Sequence, residues 1–222
     1  MILEHADSLD ANGRFGNYTL YGNVRIKHDS VVFKTHKAKW DKRRNQIYFS
    51  GGIQIIHPAG KLSANRGFYD KNRGKAEAYG NVEAQDSGKT YLGKTNKAVY
   101  LKKKHQLDLF GKPKLFVFEV DSLDTTKIDT FIMQGERMRI HDDTKMAYAW
   151  ENVSFTQGDA LEIQCQEGIF DNSKGKVILK GNPKARMGDY HISGTTMNAS
   201  IKNKALERIL VVDNGHGLQK PK

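Results

Sequence analysis

One phrase recurs along the 222 residues: an aromatic or apolar residue, a polar turn often opened by Asp, alternating apolar residues, then Gly-Asn-Val or a variant. Its glycine slot is filled by Gly22, Gly51, Gly80, Gly111, Glu151 and Gly181, at spacings of 29, 29, 31, 40 and 30 residues. A period of this size marks stacked repeats, in which no single unit buries its apolar side alone. Such a chain places function on an extended surface rather than at a point-like catalytic site.

The residues at −4, −2, +2 and +4 from each slot are Tyr18, Leu20, Val24, Ile26; Ile47, Phe49, Ile53, Ile55; Ala76, Ala78, Val82, Ala84; Leu107, Leu109, Pro113, Leu115; Ala147, Ala149, Val153, Phe155; and Val177, Leu179, Pro183, Ala185. All are apolar, tyrosine included, and the positions between them are mostly polar. Period two with one apolar face is a half-buried strand. Polar runs such as Lys42-Arg43-Arg44-Asn45 and Lys71-Asn72-Arg73-Gly74 read as hairpin turns. The second half of each unit, for example Leu161 to Cys165, alternates less cleanly. Each unit is therefore expected to be two short strands joined by a turn, with a final half-unit from Ile201 to Val212. A glycine inside a strand marks a bend, a bulge or a close backbone approach. Its recurrence predicts a row of bends about which the strands fold over, so that two sheets face each other.

The repeat runs through without a Pro- or Ser-rich linker, which favours one continuous domain over residues 1–222. The long spacing adds residues near 119–130, with Asp121, Asp124 and Asp129. This insertion reads as a longer loop or an extra strand pair; a boundary between two repeat blocks there is the less favoured alternative.

Lys and Arg number 36 against 25 Asp and Glu, a net charge of +11, which suits anionic partners: nucleic acid, a phosphorylated glycolipid or a membrane surface. The basic residues are spread over turns and polar strand faces and do not gather with exposed aromatics into a stacking platform, so nucleic acid is not expected. The densest run, Lys102-Lys103-Lys104-His105, falls where a solvated turn is expected. The lone Cys165 excludes an internal disulfide and reads as a small buried side chain. No stretch has the length of a membrane span.

Signatures of catalysis are lacking. Ser87-Gly88-Lys89-Thr90 ends like a phosphate-binding loop, but Glu83 stands where its first glycine belongs. The eight histidines show no metal-ligand spacing. His28 and His57 recur six residues after the slot and read as strand-end polar residues. Clustered acids at corresponding repeat positions would signal the glycosidase chemistry of β-helix hydrolases. Asp41, Asp70 and Asp171 do stand at such positions, but each sits in a turn, where Asp is expected for backbone reasons. No enzyme activity, metal or cofactor is predicted.

Units such as Ala64-Asn65-Arg66-Gly67-Phe68-Tyr69-Asp70 followed by Ala76-Glu77-Ala78-Tyr79-Gly80-Asn81-Val82 resemble the OstA/LptA family of lipopolysaccharide-transport proteins, as does the opening from Ala6 to Val24. The likeness extends from about Ala6 to Val212. Gly51-Gly52-Ile53, Gly111-Lys112-Pro113, Gly181-Asn182-Pro183 and the slot residue Glu151 depart from the pattern and put the local bend in question. The resemblance implies an all-β, elongated antiparallel jellyroll with a V or taco shape. It implies that lipopolysaccharide acyl chains lie between the sheets, and that edge strands pair with LptC-like and LptD-like jellyrolls and head to tail with further copies. It also implies the periplasm, with an export signal removed ahead of Met1. With neither anchor nor barrel in the sequence, a free-standing carrier is the expected role. The apolar trough would be lined by Leu20, Val24, Ile26, Ile47, Phe49, Ile53, Ile55, Ala78, Val82, Leu109, Leu115, Val153, Phe155 and Leu179. Small residues such as Ala76 and Ala84 leave room there for fatty chains. The competing reading is a self-assembling or adhesive β-solenoid with a closed core and no lipid.

Overall fold

In the computed structural model the chain is described over residues 1–12, 16–120, 128–141, 143–159, 161–171, 173–202 and 205–219. Its internal contacts divide it into two units, Met1–Leu109 and Phe110–Lys222. Among the described residues the regular structure is antiparallel β-strand, apart from one short 3-10 turn at Lys102–Lys104.

The first unit carries β1 (Ile2–His5), β2 (Ser8–Asn12), β3 (Asn17–His28), β4 (Val31–Asp41), β5 (Gln46–His57), β6 (Gly60–Asp70), β7 (Lys75–Asp86), β8 (Tyr91–Leu101) and β9 (Gln106–Phe110). From β3 to β8 each strand is 11 or 12 residues long and pairs with the next. The register breaks once in every pair, at the glycine slot. Between β3 and β4, Tyr21 pairs with Lys37 and Val24 with Thr35, so Gly22 and Asn23 stand opposite His36 alone. The same two-against-one bulge recurs between β7 and β8, where Tyr79 faces Lys97 and Val82 faces Thr95.

The cause is a pair of consecutive left-handed residues: Gly22-Asn23 (φ 64° and 45°), Gly51-Gly52 (76° and 85°), Gly80-Asn81 (74° and 48°), Gly111-Lys112 (84° and 57°), Glu151-Asn152 (63° and 52°) and Gly181-Asn182 (78° and 55°). Glycine and asparagine tolerate this region best, which is why the phrase reads Gly-Asn. At Gly80 there is a second reason. A Cβ there would lie 2.7 Å from Asn65 Nδ2 and 3.2 Å from Asn65 Cβ, because the single opposing residue of β6 lies across the glycine. The departures at Gly52, Lys112 and Glu151 keep the same backbone, so the bend survives them.

The neighbouring strand follows suit. In β4 the buried positions are Phe33 and Thr35 before the bend but Ala38 and Trp40 after it. Two residues in a row, His36 and Lys37, point away from the interior. That change of parity is why these half-units alternate less cleanly in the sequence.

The second unit carries β10 (Lys114–Val120), β11 (Ile128–Gln134), β12 (Arg137–His141), β13 (Met146–Gln157), β14 (Leu161–Asp171), β15 (Lys176–Lys180), β16 (Lys184–Met187), β17 (Tyr190–Ser193), β18 (Thr196–Lys202), β19 (Ala205–Val212) and β20 (His216–Gln219). Here bends often split a strand in two. β14 pairs with β15 before Gly181 and with β16 after Asn182. β13 keeps the bulge, with Trp150 facing Glu167 and Val153 facing Cys165. After the Gly111 bend, β10 and β11 pair over seven residues from Lys114↔Gln134 to Val120↔Ile128, and the described parts of the expected insertion, 119–120 and 128–130, lie at the ends of these strands. Asp121 and Asp124 lie outside the described residues, and Asp129 is described only through the backbone of β11.

Candidate functional site

Each bent strand offers two arms, and within each unit the apolar sides of the arms meet. In the first unit, Phe33 before the bend of β4 stacks on Phe49 of the facing arm of β5, with ring centroids 5.2 Å apart and planes 11° apart. The side chain of Ile53 comes within 3.1 Å of where a Cβ on Gly67 would stand. In the second, the Phe155 ring comes within 2.9 Å of the same point on Gly168. Facing arms therefore form two walls around an apolar interior.

The residues expected to line a trough lie on these walls. Leu20, Val24, Ile26, Ile47, Phe49, Ile53, Ala78, Val82, Leu109, Val153, Phe155 and Leu179 are all buried, at most 4% exposed. Ile55 and Leu115 are half-buried. Those of the first unit belong to cross-strand rows. On one side of the bend line the row is Leu20, Ala38, Phe49, Gly67, Ala78 and Ala98, each facing the next. All six are buried. On the other side of the bend line the row is Ile26, Phe33, Ile55, Leu62, Ala84 and Gly93. Its first two members are buried and its last four half-buried. This row forms the mouth. It changes along its length from large buried side chains to small, partly open ones.

Sequence reasoning misses Phe33, Thr35, Met133, Met138 and Met197, all buried. Phe33 and Thr35 belong to strands whose parity switches at the bend, so no fixed-period template includes them. Thr35 turns its hydroxyl back to the bend, donating toward the carbonyl of Gly52 at 2.6 Å. Cys165 is buried on the inner face, and burial pushes its thiol pKa up to about 11, which leaves it protonated and inert.

The outer surface is polar and strongly basic. Lys37 lies 4.8 Å over the Tyr21 ring, Arg66 and Lys97 each 5.4 Å over Tyr79, and Arg137 5.1 Å over Trp150. Basic residues and aromatics do meet beside the bends, then, but each cation covers a ring face. A cleft of about 620 Å³ beside the bends is lined in part by Arg25, Lys34, His36 and Gln54.

The turn aspartates cap hairpins. Asp41 accepts from the Arg44 N–H at 2.9 Å, Asp70 from that of Arg73 at 2.9 Å, and Asp171 from those of Ser173 and Lys174 at 3.1 and 3.2 Å. Asp70 is 2% exposed and also accepts from Gln46 Nε2 at 2.8 Å. Burial alone would raise its pKa, but these hydrogen bonds and the Arg73 charge outweigh it and hold the carboxyl below the ordinary aspartate value. His57 Nδ1 accepts from the Ala59 N–H at 3.1 Å, a strand-end role. His28 is different: its Nδ1 lies 2.9 Å from the Tyr69 hydroxyl on the facing wall. The Lys102–Lys104 run is an exposed 3-10 turn that ends on a left-handed His105. Among the described residues no group of three or more His, Cys, Asp or Glu is placed to hold a metal ion.

No curated protein matches the chain significantly. Among solved structures, LptH of Pseudomonas aeruginosa, described as the LptA-homologous periplasmic component of a lipopolysaccharide transport device, aligns at a TM-score of 0.43 and 12% identity. That alignment covers 50% of this chain and 73% of LptH. Residues 5–146, well over half of the sequence, match the family described as the LptA/(LptD N-terminal domain) LPS transport protein. The chain belongs to this family of lipopolysaccharide-transport proteins, whose work is carriage rather than catalysis.

Proposed function

We propose that the chain is a periplasmic carrier that takes the acyl chains of lipopolysaccharide or a related glycolipid between the two walls and passes the lipid on toward the outer membrane. The observation that carries this reading is the mouth row, where Ile55, Leu62, Ala84 and Gly93 leave apolar wall half-exposed along an otherwise closed interior. Transferring a chain of about a dozen methylenes from water is worth roughly 10 kcal/mol at ~0.8 kcal/mol each. Apolar contact has no direction, so a bound chain is held yet free to slide. The head group stays in water, where basic residues near the rim meet its phosphates. Both units carry such an inner face, and residues 1–222 act as one carrier domain.

End strands offer the joints. Ile2 in β1 and Leu9 in β2 are 67% and 48% exposed, Leu210 in β19 and Leu218 in β20 48% and 75%. Such apolar strands at a sheet end accept a partner's strand. The partners are LptC-like and LptD-like jellyrolls and further copies of this chain.

The competing reading, a scaffold with a shut core, draws on the near-complete burial of Leu20, Ile47 and Leu179. Photocrosslinking residues separate the two. At Phe49 or Val82, on the inner walls, they should capture lipopolysaccharide; at Gln54 or Glu83, on the outer face, they should not. Equal capture on both faces, or none on the inner, sinks the carrier.

A further inference from the structure

The mouth of the first unit is tied across at the β3–β4 end. His28 is the last residue of β3, at the lip of one wall; Tyr69 lies at the opposite lip, in β6. The Tyr69 hydroxyl is 2.9 Å from His28 Nδ1, and their rings are 5.7 Å apart. The bond forms in either tautomer, with the hydroxyl donating when Nδ1 carries no proton. Behind it Phe33, the third residue of β4, packs on Tyr69 at 5.2 Å and stacks on Phe49. The turn residue Asp29 also reaches Lys102 of the facing lip, Oδ2 to Nζ 3.8 Å. Both of those groups are well exposed, so this pair guides the hairpin more than it holds it. All of these ties come from one element, the β3–β4 hairpin tip. Farther along the same mouth the row has shrunk to Ala84, whose methyl is too short to reach across, and Gly93, which has no side chain.

We propose that the β3–β4 hairpin tip is a latch across the mouth of the first unit, with His28–Tyr69 as its bolt and Phe33 as the plug beneath it. Closed, it restricts acyl-chain entry to the half-exposed side of the mouth at Ile55, Leu62, Ala84 and Gly93; released, it lets the walls part along the whole unit so that a multi-chain lipid seats. This rests on the carrier reading. The bolt suits release because its polar ends exchange partners with water at the lip, whereas the contacts beneath it are apolar and close again without directional constraint.

The test joins the lips covalently. A two-ring side-chain span is too wide for a disulfide, so a reducible bis-thiosulfonate reagent bridges His28→Cys and Tyr69→Cys in the full chain. Cys165 is buried and stays unreacted. Loading of a fluorescent lipid A is followed in the same variant with the bridge closed and after reduction. The latch requires loading to slow roughly tenfold or more when bridged and to recover on reduction, since a state held shut cannot redistribute toward an open one. Tyr69→Phe keeps the ring and removes the bolt; it should speed loading about 2- to 10-fold, the worth of one hydrogen bond. A bridge within one wall, from Lys37→Cys to its register partner Ser50→Cys, should leave loading unchanged.

Equal loading with the lips bridged and reduced overturns the latch while leaving the carrier intact. Equal slowing by the same-wall bridge overturns it too. Failure of the unmodified chain to load lipid A removes the carrier reading, and the latch with it.

Discussion

The bend line and the mouth respond to sequence change in opposite ways. Along the bend line residues vary and the backbone does not. Gly-Asn, Gly-Gly, Gly-Lys and Glu-Asn all adopt two successive left-handed conformations. Along the mouth of the first unit the pairing is regular throughout, and the side chains change from Ile26 and Phe33 to Ala84 and Gly93. The bend sets the architecture that every repeat shares. Side-chain size then decides where the walls close and where they stay open.

The largest expected effect tests the mouth. Phe33→Ala removes a ring that is 2% exposed and packed between Phe49 and Tyr69, and should cost about 3–5 kcal/mol. Leu62→Ala, in the same row but half-buried, should cost about 1 kcal/mol, since much of its surface already meets water. Urea midpoints of the two variants measure the difference. Equal losses would mean that the mouth is as tightly packed at one end as at the other.

A smaller loss is expected on the bend line. Gly80→Ala must hold a Cβ at φ 74° and displace the Asn65 side chain, for about 2 kcal/mol in all. Gly52→Asn has nothing within 4 Å of its new Cβ and creates the Gly-Asn pair found at other bends, so its midpoint should move by less than about 0.5 kcal/mol. If both substitutions cost the same, left-handed backbone alone explains the glycine and the crossing side chain of Asn65 does not matter.

The bends and the inner faces of the long bent strands are legible in the sequence because both leave a local mark: a glycine slot at fixed period, and alternation counted from it. Twelve of the fourteen side chains expected in the trough are buried as that alternation requires. The partner strands are harder to read. Their inner positions shift by one at His36-Lys37 and at Asn65-Arg66, where two consecutive residues point outward, so Phe33 falls outside any fixed template. The departures at Gly52, Lys112 and Glu151 also mislead. A bend needs two left-handed residues, and the register of its neighbours can impose them on an unfavourable side chain. His28 and His57 look equivalent from the slot, yet His28 meets a tyrosine across the interior, a contact spanning 41 residues that no local pattern encodes.

The lip beside the bolt carries a pH signature. Asp70 titrates below its unfolded value, so its carboxylate stabilises the fold above the ordinary aspartate pKa of about 3.9, and this contribution is lost as pH falls through the lower, folded value. Asp70→Asn should cost about 1–2 kcal/mol at neutral pH, where it removes charge-assisted hydrogen bonds. It should also flatten the fall in stability on acidification below about pH 4. Asp41→Asn, at the equivalent turn but more exposed, should cost less at neutral pH. Equal losses at neutral pH in the two variants would show the β6 lip to be no more constrained than its neighbours.

The smallest effect runs the other way. Glu151 occupies the slot that glycine fills at the other bends, and holds φ 63° with its carboxylate 3.4 Å from Arg137 Nε. Both groups of that ion pair are more than half exposed, so the pair contributes little. The left-handed backbone of a glutamate costs more, on the order of 1 kcal/mol. Glu151→Gly therefore removes strain while giving up a weak contact, and part of the gain returns as the extra freedom glycine confers on the unfolded chain. A net stabilisation of about 0.5 kcal/mol is expected from thermal or urea unfolding. A loss of stability would mean that Glu151 makes a contact stronger than its exposed ion pair, and that the bend line is not governed by backbone conformation alone.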